Sequence, residues 1–489
     1  MTEQRRKLAP CLLGTAAIAL FAVLLMFRLD IPEKISRRQD PPLLLNNVSA
    51  SEDIWLEIRQ KGAKIGHVHR QKENSPEGRT FSEDIFMRIN TLGVVQPITV
   101  KTSARFTPEG EIRGFTFSIA SNLFPFSAEG TAQGGKMVVL IGKERKTIAL
   151  PPKVYLSADA ASGAALAGLA PGEKKTFSLF DPATFAVRPV TVEYLGQEAL
   201  TVMGRTVSAK KLAFDFMGMR QAAWISPDGS VLREEGLLGM TLQRVSRQEA
   251  LSGFEKAAAP DLAEAASIPV STPIENPSAI RKLVMRLNGL PEGHFLLEGG
   301  RQTFKGGILT VLREDSFPGE GRELPENLHA FLEATPFIQS DHPSMIEKVS
   351  EIVAKEDSNQ IKAEKLVAWV YKNIAKKPVI SIPDALQTLK NRRGDCNEHA
   401  FLLAALARAG GLPARIETGL VFMRGSFFFH AWNVLYIDAL GGWVTADAAL
   451  GQFPADATHI RFARGELDHQ IDLAGLIGRL KIDIVRMEP

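Results

Sequence analysis

The sequence predicts an α+β protein with three parts in order: an N-terminal transmembrane helix, a large antiparallel β-rich module and a smaller C-terminal α+β domain. Three observations lead there. An uncharged run of twenty residues fills positions 8 to 27. Period-2 alternation of apolar side chains dominates from about residue 52 to residue 250. From Pro343 onward the apolar period becomes that of a helix.

Composition bounds the function. Apolar residues are 45% of the chain and charged residues 23%, the mix of a folded globular protein, which excludes disorder over most of its length. Fifty-eight Lys and Arg stand against 55 Asp and Glu, and a net charge of +3 gives no footprint for nucleic acid. Two cysteines, Cys11 and Cys396, exclude a disulfide framework and a multi-cysteine zinc or iron–sulfur site. Cys11 falls in the uncharged run, so Cys396 is the sole thiol of the remaining chain.

The run LAPCLLGTAAIALFAVLLMF spans about 30 Å as a helix, the thickness of a hydrocarbon core. Arg5, Arg6 and Lys7 precede it, and no small-x-small cleavage site follows. Residues 1–30 therefore read as a cytoplasmic tip and an uncleaved signal anchor. The positive-inside rule puts the rest of the chain outside. Residues 31–50, with Pro32, Pro41 and Pro42, read as a stalk.

Over residues 51–250, Ile54, Leu56 and Ile58 alternate with polar or aromatic partners, as do Phe115, Phe117 and Ile119, and Val190, Val192 and Tyr194. Ser75-Pro76-Glu77-Gly78, Thr107-Pro108-Glu109-Gly110 and Ser226-Pro227-Asp228-Gly229 place Pro second and Gly fourth, as a type I turn prefers. An Ala-rich stretch from Ser157 to Leu169 predicts one short helix. His67 and His69 share a strand face, but no third ligand lies near in sequence, so a solvent-facing pair is expected and not half of a metal site. The module carries no evident chemistry. It binds something, positions the rest of the chain or acts as a spacer.

Residues 251–279 have the Ala and Pro content of a linker. Residues 280–335 return to short strands with Gly-Gly turns, a β extension of the domain at 336–470, and residues 471–489 read as a tail. In that domain Ile346, Val349, Ile352 and Val353, then Leu366, Trp369, Val370 and Ile374, mark two amphipathic helices, for which core packing is sufficient reason. A third, short helix follows Pro383.

Gly394-Asp395-Cys396 then opens an Ala- and Leu-rich helix that stops at Gly410-Gly411. Almost no polar face means a central, buried helix, with Cys396 in its first turn, where free N–H groups and the dipole favour thiolate. Strands are expected at Ala414 to Val421, Phe427 to Ile437 and Trp443 to Ala446. Folding the last two about residue 440 sets Asp447 opposite residue 433, within a pleat or two of His430. His399 competes with His430 as base, since it shares a helix face with Cys396. Cys396, His399 and His430 are also a conceivable zinc set, though without a clear fourth ligand.

Gly394-Asp395-Cys396 with Glu398 and Ala400, Gly411-Leu412-Pro413-Ala414-Arg415, His430-Ala431-Trp432, Trp443 and Asp447 together resemble the core of the transglutaminase-like superfamily, over about residues 335 to 465. The resemblance implies a papain-like α+β fold, with Cys396 as nucleophile, His430 as general base and acid, and Asp447 orienting His430. It implies attack on the amide of a protein or peptide substrate through a thioester, with no metal or cofactor. The Cys396 N–H would be one oxyanion donor, and a side chain within 371–384 a second. Anchor and β module resemble a bacterial envelope architecture, which implies the inner membrane, the periplasm and cell-wall peptide among the candidate substrates. Hydrolysis needs less than transfer, because an amine acceptor needs its own site; crosslinking of Gln to Lys is the alternative. Two readings from other classes stand beside these: a non-catalytic module that binds peptide or cell wall, and a β module that carries lipid or polysaccharide.

Overall fold

Alternation at Ile54, Leu56 and Ile58 becomes the strand Glu52–Gln60, with all three side chains buried. The computed structural model describes residues 51–489 except 122–124, 143, 152–153, 157–168, 184, 217–218, 228, 255–259, 292–294, 315–326, 380 and 467–470. The uncharged run at 8–27 and the stalk lie outside the described residues, as does nearly all of the helix expected over Ser157 to Leu169. Among the described residues no helix is long and apolar enough to cross a membrane. The chain divides after Asp261 into two compact units.

Among the described residues the N-terminal unit is built on one fifteen-stranded sheet. From Glu52–Gln60 outward, the strands up to Glu144–Ala149 follow in chain order, each antiparallel to the last. On its other side Glu52–Gln60 pairs with Met240–Val245, and the order runs back along the chain to Tyr155–Leu156. Only that final joint is parallel. The alternating triplets at 115–119 and 190–194 are buried, as the period required. Gly110 and Gly229 close their turns by donating to Thr107 and Ser226 at 2.9 and 3.0 Å. His67 and His69 do share a face, but within a row of rings: His69 stacks on Trp55 at 4.0 Å and bonds Asp53, and His67 faces Phe86.

The C-terminal unit begins inside the expected linker. Leu262–Ala266 is helical, and Ile268–Pro269 adds a strand to the edge of a five-stranded sheet. Four helices follow: α1 (Pro343–Ile352), α2 (Asn359–Asn373), α3 (Ala385–Asn391) and α4 (Cys396–Ala409). Then come strands β1 (Ala414–Met423), β2 (Ser426–Ile437), β3 (Gly442–Ala446) and β4 (Ile460–Arg464). Helix α4 touches the other three helices and both β1 and β2. It is buried from Cys396 to Ala407, as its lack of a polar face demanded.

Two expectations change. In α1 the core face is Met345 and Val349, while Ile346 is 53% exposed, one residue off the expected stripe. Residues 471–489 are not a tail: Lys481–Glu488 pairs antiparallel with Lys282–Asn288 and completes a four-stranded sheet with the β extension.

Candidate active site

Cys396 sits at the first helical position of α4, where the backbone N–H groups have no intrahelical acceptor. Asp395 caps the helix by accepting from Asn397 at 2.9 Å, and Glu398 reaches back to the Asp395 N–H at 2.8 Å, a capping box. Ser381 supports Glu398 from the preceding segment. The Gly394 position is explained by close approach: a Cβ there would stand 2.2 Å from Glu398 Cβ. A side chain at 394 and the capping box exclude each other.

Strand β2 carries His430. Its inner edge pairs with β1, Gly419 opposite His430. Its outer edge pairs with Ile268–Pro269 at Ser426 and Phe427, and with β3 from Asn433 onward. Among the described residues no strand covers residues 428–432 on that side. The N–H of Ala431, freed from the ladder, donates to Cys396 Sγ at 3.2 Å. A gap in the sheet edge thus brings the thiol to the residue next to His430.

The register puts Ala446 opposite Asn433, so Asp447 follows at the end of β3 within a pleat of His430. His430 Nε2 lies 2.7 Å from Asp447 Oδ2. A carboxylate only accepts, so Nε2 carries the proton and Nδ1 of a neutral His430 keeps a lone pair. That Nδ1 is buried with no hydrogen-bond partner. The other oxygen of Asp447 accepts from the N–H groups of Ala449 and Leu450 at 2.7 and 3.0 Å. Burial alone would raise the Asp447 carboxyl, but His430 and His459 outweigh it and hold the group well below the usual carboxylate range.

The helix N-terminus that favours thiolate at Cys396 is opposed by its burial. Cys396 is 2% exposed. Burial, and then the charge of Asp395, push its thiol well above the ordinary value, against the smaller help of the Ala431 N–H. A helix terminus contributes about 0.3–1 kcal/mol, less than the desolvation of a buried ion. Burial and the neighbouring Glu398 likewise hold Asp395 well above the ordinary range.

His399 is not placed as a base. Its Nδ1 bonds the Asp395 carbonyl of its own helix at 2.6 Å, and burial lowers it to about 4. Among the described residues, Cys396, His399 and His430 do not bring their ligand atoms together as a metal site would require. Within 371–384, Ser381 is engaged by Glu398. Arg415 stacks on Trp443, 4.1 Å from the ring centroid, and its charge acts on the buried Glu417.

Three residues of this site carried no sequence signal. His459 Nε2 lies 3.0 Å from the same Asp447 oxygen that His430 uses, and its Nδ1 lies 3.2 Å from Asp456 Oδ1. Arg301, from the β extension, threads the loop that carries them and donates to the carbonyls of Ala455, Asp456 and His459 at 2.9, 3.1 and 2.8 Å. Only the Asp456-x-x-His459 spacing was visible, and it is common. His430, Asp447 and His459 also place ligand-type atoms within 4.8 Å of one another. Both ring nitrogens of His459 face carboxylates, so a cation there would have to displace one of those hydrogen bonds.

The fold thus brings Cys396, in the first turn of a central helix, and His430 and Asp447, on neighbouring strands, into one buried region. Residues 346–448 match the transglutaminase-like superfamily, whose members are generally cysteine-dependent enzymes. Among solved structures, a candidate cysteine protease from Cytophaga hutchinsonii is 19% identical, with 43% of this chain and 86% of that one covered and a TM-score of 0.25. A candidate protease from Parabacteroides distasonis is 12% identical over 57% and 69%, with a TM-score of 0.20. A β-barrel-like protein of a domain family of unknown function from Brucella abortus is 16% identical over 40% and 96%, with a TM-score of 0.34. Curated proteins give no significant match.

Proposed function

We propose that this protein is a membrane-anchored cysteine enzyme that cleaves amide bonds of proteins or peptides through a thioester on Cys396. The observation that carries the reading is that Asp447 holds His430 Nε2, that His430 Nδ1 is left without a partner, and that the Cys396 thiol accepts from the N–H of the next residue, Ala431. His430 Nδ1 takes the thiol proton as Sγ attacks the carbonyl carbon. The oxyanion forms against the free N–H of Cys396. The C–N bond breaks as the imidazolium returns its proton to the leaving amine, leaving the thioester. Water, deprotonated by His430, then releases the acid and regenerates the thiol. An amine in place of water gives transfer, and crosslinking is the alternative outcome of the same intermediate. The run at 8–27, with Arg5, Arg6 and Lys7 before it, supports an inner-membrane anchor with the domain in the periplasm, where cell-wall peptides are within reach.

The burial of Cys396 favours one second reading, a closed module that only binds peptide. Incubating the full chain with a p-nitrophenyl ester and reading intact mass separates the two. The enzyme gives one hydroxylamine-labile acyl group on Cys396, absent in Cys396→Ala. A primary amine that speeds its loss and captures the acyl group marks transfer; an amine without effect marks hydrolysis. No adduct on Cys396 leaves the binding module.

A further inference from the structure

His459 is buried, lies outside the Cys–His–Asp set and has an unusual pair of neighbours. Asp447 accepts from its Nε2 at 3.0 Å and Asp456 faces its Nδ1 at 3.2 Å. A neutral imidazole has one N–H, so both carboxylates are satisfied only by the doubly protonated ring. Asp456 is itself fixed, by the Thr458 N–H and hydroxyl at 2.9 and 2.6 Å and by Gln452 at 2.9 Å. Arg301 bonds the His459 carbonyl and so holds the backbone that carries the ring. The charged and titratable groups that face His459 are therefore Asp447 from the end of β3, Asp456 from its own loop, His430 from β2 at 5.8 Å between ring centroids, and Arg301 from the β extension.

We propose that His459 is a positioning residue of the reaction: a permanent imidazolium that shares Asp447 Oδ2 with His430 and thereby keeps His430 neutral and ready to accept the Cys396 proton. The inference rests on the reading of Cys396 and His430 as nucleophile and base. Its logic is electrostatic. A carboxylate favours the charged form of an imidazole beside it, and Asp447 Oδ2 faces both rings. A fixed positive charge on the same oxygen offsets that pull, while the shared hydrogen bonds keep the carboxylate in one orientation. Burial would lower His459, but Asp456 and Asp447 overcome it and raise the ring to about 9, so it stays charged at neutral pH.

The test is the pH profile of Cys396 alkylation by iodoacetamide in the full chain, for the unchanged protein, His459→Gln, Asp456→Asn and His430→Ala. His459→Gln retains a donor for Asp447 but no charge, and Asp456→Asn removes one carboxylate that holds the charge. Both are expected to move the low-pH limb upward, by about one pH unit or more. A merely structural role changes the rate at every pH and leaves the limb in place, and that result overturns the proposal. His430→Ala separates the two layers: if it abolishes the limb and the other variants do not move it, the base stands and the role of His459 falls; if it has no effect, the underlying reading falls. Nitrogen-15 NMR of the unchanged protein needs no variant. One histidine with both ring nitrogens protonated at pH 8 is expected, and none so protonated is contradictory.

Discussion

Asp447 Oδ2 accepts a hydrogen bond from His459 at 3.0 Å, through the oxygen that also holds His430 at 2.7 Å. One carboxylate thus organises two histidines, and its second oxygen is held by two backbone N–H groups of its own loop. The orienting member of the site is the junction between β2, β3 and the loop that Arg301 pins.

Asp447→Asn should slow acylation of Cys396 by a p-nitrophenyl ester by on the order of a hundredfold or more, because an amide can present N–H to His430 and select the wrong tautomer. Full-length protein with unchanged circular dichroism and an acylation rate within threefold of the original would refute the role.

Stability should peak near pH 6.5, for two reasons of opposite sign. His459 is raised from 6.5 to about 9, so its contribution is complete below 6.5 and is lost as pH rises through 9. Burial lowers His399 from 6.5 to about 4, so its contribution is complete above 6.5 and is lost as pH falls through 4. Each limb is worth on the order of 3 kcal/mol. Urea midpoints across pH 4 to 10 should trace a dome, and His459→Gln should flatten its alkaline side only.

Arg301→Met should destabilise the C-terminal unit by about 3 kcal/mol, since three buried carbonyls and Glu314 lose a charged donor. Acylation should fall as well, because the loop carrying Asp456 and His459 loosens. A melting temperature and a rate both unchanged would show that the strap is dispensable.

Ser381→Ala should cost about 1 kcal/mol through the capping box and leave acylation within threefold, because its hydroxyl serves Glu398. A hundredfold fall in rate with unchanged stability would instead make Ser381 the second oxyanion donor.

What the sequence made legible is what repeats or punctuates. Period 2 at Ile54, Leu56 and Ile58 became buried strand, and the apolar run after Cys396 became a buried helix ending at Gly410. Counting back from a turn near residue 440 put Asp447 one residue from its observed register. Long-range effects were not legible. His459 and Arg301 reach the site through a loop and a separate sheet, and neither spacing is periodic. For the thiol, the sequence shows its helix N-terminus but not the depth of its burial, which acts in the opposite direction. Lys481–Glu488 looked like a tail because its partner, Lys282–Asn288, lies about two hundred residues away, and strand pairing at that separation leaves no local signal.

The most direct measurement is the rate of iodoacetamide alkylation at Cys396 from pH 5 to 10, in the full chain and in His430→Ala. A thiol that depends on His430 for its proton should react at pH 7 at least tenfold faster in the unchanged protein, and the variant should retain a single titration above the ordinary thiol value of about 8.5. Equal rates and superimposable profiles would mean that His430 does not activate Cys396, and that the site binds without catalysing.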